Sequence, residues 1–129
     1  MQILLIEDVR TERKIFKRWL EEIGCEVIEA SNGVEGIDLY YENRPDLVIT
    51  DIVMPEKEGI ELMIDLRKEF PGIKVFAISG AGVKEPGEFL GLAKHLGALR
   101  TFTKPLEKAT FCRAVLELFP ELPVDPEDA

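Results

Sequence analysis

The stretch DLVITDIVMPEKEG, residues 46–59, decides the fold, because it joins an apolar run to a single carboxylate just ahead of a Met-Pro pair. The run Leu47–Thr50 is typical of a strand that is buried on both faces, as in a parallel sheet covered by helices. A carboxylate is tolerated in such a strand only where the chain leaves the sheet. We therefore expect Asp51 at a strand end, near solvent.

Four further apolar runs suit short strands, namely Ile3–Ile6, Val27–Ala30, Val75–Ile78 and Leu99–Thr103. Segments with helical periodicity lie between these runs. This alternation of strands and helices predicts an α/β domain, in which a parallel sheet is joined by crossover helices.

The helical segments number five. The first has an apolar stripe made of Ile15, Phe16, Trp19, Leu20 and Ile23, and it ends at Gly24. The others are expected from Gly33 to Glu42 with Ser31 or Asn32 as the cap, after Pro55, from about Pro86 to Gly97, and from Pro105 to Phe119.

The bulk composition is that of an ordinary globular protein. The chain has 129 residues, of which 46% are hydrophobic and 32% are charged, and this length fits one domain. We expect that domain to span residues 1–120. Residues 121–129 are expected to form an acidic, proline-rich tail, either as a frayed end or as the beginning of a linker.

The net charge and the spacing of the cysteines limit the classes of binding partner and the cellular location that the sequence predicts. The formal net charge of −9 argues against direct binding of nucleic acid, which usually needs a basic face. The opening MQILLIEDVR lacks the basic leader of a signal peptide, and no run is long enough to span a bilayer. Cys25 and Cys112 lack metal-ligand spacing, so we expect both to be reduced and structural. A cytoplasmic protein without membrane contact is predicted.

Polar side chains follow four of the predicted strands, namely Glu7 and Asp8, Asp51, Ser79, and Lys104 with Pro105. Ligands of open parallel sheets bind outside the carboxyl ends of the strands, so these groups are expected to share one rim. Three clustered carboxylates need a compensating cation, and oxygen ligands together with phosphate oxygens are typical of Mg²⁺. Asp51 can then attack phosphorus to give an aspartyl phosphate, while Lys104 neutralises a phosphoryl oxygen.

In this order, these residues resemble the receiver domain of two-component response regulators, of the single-domain chemotaxis type. The motifs are LLIEDVR for the acidic pair, LVITDIVMPEKEG for the phosphoacceptor, AISG for the switch hydroxyl and GALRTFTKPL for the lysine-proline pair. The resemblance covers nearly the whole chain. It implies a doubly wound, flavodoxin-like sheet of five parallel strands in the order 2-1-3-4-5, with five helices.

The resemblance also implies the roles of the site residues. Asp51 would be phosphorylated by a histidine kinase or a phosphotransfer protein, and the domain would then signal to an unknown downstream protein. Mg²⁺ would be held by Asp8, Asp51, the backbone carbonyl of Val53 and, through a water molecule, Glu7. A cis bond before Pro105 would aim Lys104 at the site, and Ser79 would be the switch hydroxyl.

Two features depart from the family pattern. The position three residues before Lys104, commonly an aromatic that completes the switch, is Thr101, and the adjacent Phe102 points to the opposite face of the strand. The loop after Ser79 is long and rich in glycine. Our hypothesis is that residues 80–96 take over the signalling change by becoming ordered on phosphorylation.

Several alternatives remain open at this point. The basic residues Arg10, Arg13, Lys14, Lys17 and Arg18 form either a solvated helix face or a docking surface for an acidic phosphodonor.

The chain is expected to be a signalling domain, with only self-catalysed phosphorylation and slow autodephosphorylation, rather than an enzyme. Its rivals are a small Mg²⁺-dependent aspartyl-phosphate phosphatase and a phosphorylation-independent scaffold. A monomer or a weak homodimer fits the sequence.

Overall fold

The computed structural model describes residues 1–52, 58–80, 91, 93–95 and 97–122. Within them, five parallel strands form one sheet in the order β2-β1-β3-β4-β5, which confirms the predicted strand order. The strands are β1 (Gln2–Ile6), β2 (Glu26–Ala30), β3 (Leu47–Asp51), β4 (Val75–Ser79) and β5 (Arg100–Thr103).

Helices connect the strands, as the alternating pattern predicts. They are α1 (Arg10–Glu22), α2 (Gly33–Asn43), α3 (Glu58–Glu69) and a C-terminal helix (Lys108–Leu118). Residues 91 and 93–95, inside the segment where the fourth of the five helices is predicted, are also helical. The remainder of that segment lies outside the described residues, as do the Met-Pro pair and the predicted start of the third helix.

The sheet separates two apolar cores, one on each face. On one face, Leu5 and Ile49 pack with Phe16 of α1 and Phe111 of the C-terminal helix. On the other face, Leu4 and Val48 pack with buried residues of α2 and α3. Strands covered on both sides are the reason that their sequences read as continuous apolar runs.

The apolar stripe of α1 is narrower than predicted. Phe16, Leu20 and Ile23 are buried and Trp19 packs against the core, but Ile15 is 47% exposed. The prediction that Ile15 belongs to the buried stripe is therefore wrong. Helical periodicity identifies a face, whereas the width of that face depends on how much of it the neighbouring elements cover.

The start of α2 shows why its boundary could be predicted. The Asn32 side chain accepts a hydrogen bond of 2.9 Å from the backbone N–H of Glu35, so Asn32 is the cap. The hydroxyl of Ser31 donates to the Glu35 carboxylate at 2.9 Å. The bond to Asn32 satisfies a backbone N–H that the first helical turn leaves unpaired, and the bond from Ser31 holds the Glu35 side chain against the start of the helix.

The C-terminal helix begins later than predicted. It starts at Lys108 rather than at Pro105, and Glu107 before it has extended backbone angles, with φ −90° and ψ 123°. The Lys104–Pro105 peptide bond is cis, as the resemblance implies. In the part of the chain that the structure describes, no helix has the length and apolar character needed to cross a membrane.

Candidate functional site

Three carboxylates converge at the carboxyl ends of β1 and β3. These strands are neighbours, with Ile6 paired to Thr50, so Glu7 and Asp8 follow β1 directly beside Asp51 at the end of β3. One oxygen of each carboxylate lies within 4.8 Å of the others. The predicted acidic cluster is thus brought together.

Burial differs sharply within this cluster. Glu7 is fully buried and Asp51 is 2% exposed, whereas Asp8 is exposed. Asp51 is the last residue of β3, so its predicted place at a strand end is confirmed. The prediction that it lies near solvent is wrong, because neighbouring groups such as the Lys104 ammonium, 3.0 Å away, cover its carboxylate. Ser79 is likewise the last residue of its strand, β4, and is fully buried.

Lys104 supplies the positive charge of the site. Its Nζ donates hydrogen bonds to Asp51 Oδ2 at 3.0 Å and to Glu12 Oε2 at 2.5 Å. Its distance to Glu7 Oε1 is also 2.5 Å, which makes an ion pair. One ammonium group, 9% exposed, therefore meets three carboxylates.

The sequence analysis did not identify Glu12. It lies in the first turn of α1, where its side chain is 37% exposed, and it reaches Lys104 from 92 positions away along the chain. Its position four residues after Asp8 at the start of a helix beside the site was the available signal.

Burial and charge alter the pKa values of two groups in the site. The pKa of Glu7 is raised to about 7, mainly by burial and also by a hydrogen bond with Asp8, while the Lys104 ammonium opposes the shift. Burial alone would lower the pKa of Lys104. The carboxylates of Glu12, Glu7 and Asp51 outweigh that effect and raise it, so Lys104 is a permanent cation.

Hydrogen bonds hold both the backbone and the side chain of Glu7 in place. Its backbone N–H donates to the carbonyl of Ala30 at 3.0 Å, and its carbonyl accepts from Arg13 Nη1 at 2.8 Å. Its Oε2 accepts the backbone N–H of Val9 at 3.1 Å. The buried carboxylate is therefore fixed in orientation before any ligand binds.

Ser79 brings a hydroxyl to the same rim. Its backbone carbonyl accepts the N–H of Lys104 at 2.9 Å, which fixes the end of β4 against the residue after β5. Its Oγ is buried and has no hydrogen-bond partner among the described residues. Since a buried hydroxyl without a partner is costly, this side chain is a candidate to bind a ligand oxygen.

Thr101 and Phe102 lie on opposite faces of β5, as predicted. The Phe102 ring packs against Phe76 and Phe111, with centroid distances of 5.6 and 5.4 Å. Thr101 is half-buried and lines a shallow surface pocket with Lys94 and Ala98. The Phe102 side chain therefore packs against the core beneath the C-terminal helix.

Much of the basic face of α1 is neutralised within the molecule. Arg13 and Lys14 lie 3.3 and 2.8 Å from the carboxylate of Glu29 in β2, and Lys17 lies at 3.6 Å. Three of the five basic residues are therefore paired within the molecule, and the choice between a solvated face and a docking surface stays a prediction. Arg10, Lys14 and Arg18 are exposed.

The donor set fits a hard divalent cation, because all three clustered side chains offer carboxylate oxygens and two of them are buried. The carbonyl of Val53 lies outside the described residues, as does most of the loop after Ser79, so their predicted roles stay predictions.

The chain also matches a family model by sequence. The model of the response regulator receiver domain aligns with residues 3–116. The chain belongs to this family. The receiver domain is 33% identical over 117 residues to the chemotaxis protein CheY of Halobacterium salinarum, an alignment covering 91% of this chain and 95% of that protein. It is 30% identical over 115 residues to the polar-differentiation response regulator DivK of Brucella anthropi, covering 88% and 91%.

Solved structures agree with this assignment. A response regulator receiver domain protein from Clostridium thermocellum superimposes with a TM-score of 0.83 at 30% identity, covering 92% of this chain and 94% of that one. A CheY-like receiver domain protein from Methanospirillum hungatei gives 0.80 at 27% identity, covering 94% of both. These relatives are signalling domains rather than metabolic enzymes.

Proposed function

We propose that this receiver domain accepts a phosphoryl group on Asp51 and signals through the change that follows. One observation carries the proposal, namely that a buried carboxylate at a strand end contacts a permanent cation, Lys104, at 3.0 Å. A buried ion pair gives little stability compared with apolar packing. A rim that keeps one together with further acids is better explained by chemistry than by folding.

In the proposed reaction, an oxygen of the Asp51 carboxylate forms a bond to phosphorus as the bond from phosphorus to a nitrogen of the donor's phosphohistidine breaks. The released imidazole retains the electron pair and takes up a proton. Lys104 offers an N–H to the oxygens on which negative charge develops. Ser79 Oγ, which is unpartnered among the described residues, is available to bind a phosphoryl oxygen afterwards.

Mg²⁺ would supply positive charge to bring an anionic donor to an acidic site. We propose that Asp8 and Asp51 hold it directly, that Glu7 acts through a water molecule and that the backbone carbonyl of Val53 completes the protein ligands. The close approach of the three side-chain carboxylates supports this set.

The partners and limits of the domain belong to the same proposal. A histidine kinase or phosphotransfer protein is the donor, and one relative, from Bacillus subtilis, is named sporulation initiation phosphotransferase F. We place the domain at residues 1–120, with 121–129 as a tail, and the switch at Ser79 with Thr101 at the usual aromatic position. A cytoplasmic location accords with Cys25 and Cys112, which are free, buried thiols whose pKa burial raises to about 11.

The proposal is tested by intact mass after incubation with a small acyl phosphate, with and without Mg²⁺. We expect one phosphoryl group on the wild type, dependent on Mg²⁺, and none on Asp51→Asn. Asp65→Asn is the matched control, because it removes the same charge from an exposed position on α3 and is expected to be phosphorylated normally. Asp8→Asn is expected to lose the Mg²⁺ dependence together with most of the adduct.

The same experiment also distinguishes the proposed function from its two rivals. Absence of an adduct on the wild type, under conditions in which a control receiver reacts, would contradict the proposal and favour the scaffold. Continuous turnover of a phosphate ester would favour the phosphatase, which membership of a signalling family does not support.

A further inference from the structure

The Lys104 ammonium contacts more carboxylates than the proposed phosphoryl transfer requires. Its ammonium group has three N–H donors, two of which form hydrogen bonds with Glu12 and Asp51 while Glu7 lies at ion-pair distance. One of these hydrogen bonds therefore goes to Glu12, which has no part in the proposed phosphoryl transfer, in addition to the bond with Asp51, the proposed phosphoacceptor.

Glu12 also differs from the other two carboxylates in its position. Glu7 and Asp51 are buried at strand ends, whereas Glu12 is 37% exposed in the first turn of α1. It therefore approaches the ammonium from the solvent side, the side from which a phosphodonor has to arrive. It is not one of the three clustered carboxylates that fit a cation.

Resting on the proposed function, we propose that Glu12 is a positioning residue that holds Lys104 back from the transferring phosphoryl group. The hydrogen bond to Glu12 occupies one donor and offsets part of the positive charge that would otherwise act on the phosphoryl oxygens. The contact has to weaken when Asp51 gains the additional negative charge of a phosphoryl group.

Three variants separate contact from charge. Glu12→Gln keeps the length of the side chain but removes its charge. Glu12→Asp keeps the charge but shortens the reach by one carbon–carbon bond, about 1.5 Å. Glu21→Gln is the control, because Glu21 is exposed on the same helix and lies about 13 Å further along its axis.

The first measurement is the rate of phosphorylation by a small acyl phosphate with saturating Mg²⁺. We expect Glu12→Gln and Glu12→Asp each to react roughly three- to tenfold faster than the wild type, the range expected for losing one partly exposed charge-assisted contact. Glu21→Gln is expected to react at the wild-type rate.

The second measurement needs no metal and no phosphodonor. In protein with ¹⁵N-labelled lysine side chains, the Lys104 ammonium signal, identified by its loss in Lys104→Met, is expected to shift in both Glu12 variants and to stay in place in Glu21→Gln. A merely structural role of Glu12 would not produce a faster reaction together with this shift.

Each outcome decides the question. If Glu12→Asp behaves like the wild type while Glu12→Gln is faster, general charge rather than contact is responsible, and the inference is overturned. Equal rates in all variants overturn it as well. Absence of an adduct in every variant, including the wild type, contradicts the proposed function itself and takes the inference with it, which is distinct from adducts that form at equal rates.

Discussion

Lys104 shows what a single residue contributes when it follows the edge strand of a parallel sheet. Its ammonium group compensates carboxylates from two neighbouring strands and one helix, so acids that would otherwise repel one another can lie together. Without such a cation, the fully buried Glu7 would be neutral at ordinary pH, since burial raises its pKa to about 7 even though the Lys104 ammonium opposes the shift. The charge state of the rim thus depends on one side chain.

Glu29 plays the opposite role on the outside of the sheet, where one acid compensates three bases. Burial would raise its pKa, but hydrogen bonds from Lys14 and Arg13 and the charge of Lys17 lower it below the ordinary value of 4.5. A carboxylate with a lowered pKa stabilises the fold above its unfolded pKa, and this stabilisation is lost as the pH falls through the folded pKa.

We therefore predict that Glu29→Gln lowers the free energy of unfolding by about 1 kcal/mol at neutral pH, as expected for a partly buried ion-pair network. The difference from the wild type is expected to shrink as the pH is lowered through and below 4.5, and urea unfolding at a series of pH values measures it. Glu21→Gln, with an exposed side chain on α1, is the control and is expected to change little. A difference that grows on acidification would contradict the account.

At the scale of the elements, one arginine at the end of α3 and one glycine just before β5 hold these two parts of the fold together. The guanidinium of Arg67 donates hydrogen bonds to the carbonyls of Pro71, Ile73 and Gly97, all between 3.1 and 3.2 Å. Gly97 has a φ of +100°, and a Cβ added there would lie 2.8 Å from Arg67 Cζ. Both its backbone conformation and its surroundings require glycine.

Gly97→Ala is accordingly predicted to destabilise the domain by about 1–3 kcal/mol, through backbone strain and displacement of the arginine. Gly72→Ala is the matched control, since a Cβ there meets nothing within 4 Å. It is expected to leave the urea midpoint nearly unchanged. If both variants unfold at the same urea concentration, the proposed role of Gly97 is wrong.

The elements also show where sequence patterns reach their limit. Strands β1, β3 and β4 could be predicted because burial on both faces leaves a nearly unbroken apolar run in each, whereas the edge strands β2 and β5 are partly exposed and carry polar residues. Asn32 could be identified because a cap needs a particular side chain. The exposure of Ile15 could not be predicted, since it depends on how far the neighbouring elements cover α1. The late start of the C-terminal helix could not be predicted either, because Glu107 before it has extended backbone angles and its side chain makes no capping hydrogen bond.

At the scale of the whole molecule, the fold explains why distant motifs form one site. The strand order places β1, β3 and β4 side by side, so Glu7, Asp51 and Ser79 share one rim although they are far apart in the chain. This convergence could be predicted from the rule for parallel sheets together with the family motifs. For Glu12 the sequence indicated only a place near the site, because its contact with Lys104 depends on the orientation of two long side chains from α1 and the end of β5.

The measurement that tests the central claim most directly is the position of the phosphoryl group. After phosphorylation by an acyl phosphate with Mg²⁺, reduction with borohydride converts an aspartyl phosphate into homoserine, which peptide mass spectrometry locates. We predict homoserine at position 51 and unmodified carboxylates at Glu7, Asp8 and Glu12. Homoserine at another position, or a phosphoryl group that resists borohydride, would contradict the assignment of Asp51 as the phosphoacceptor.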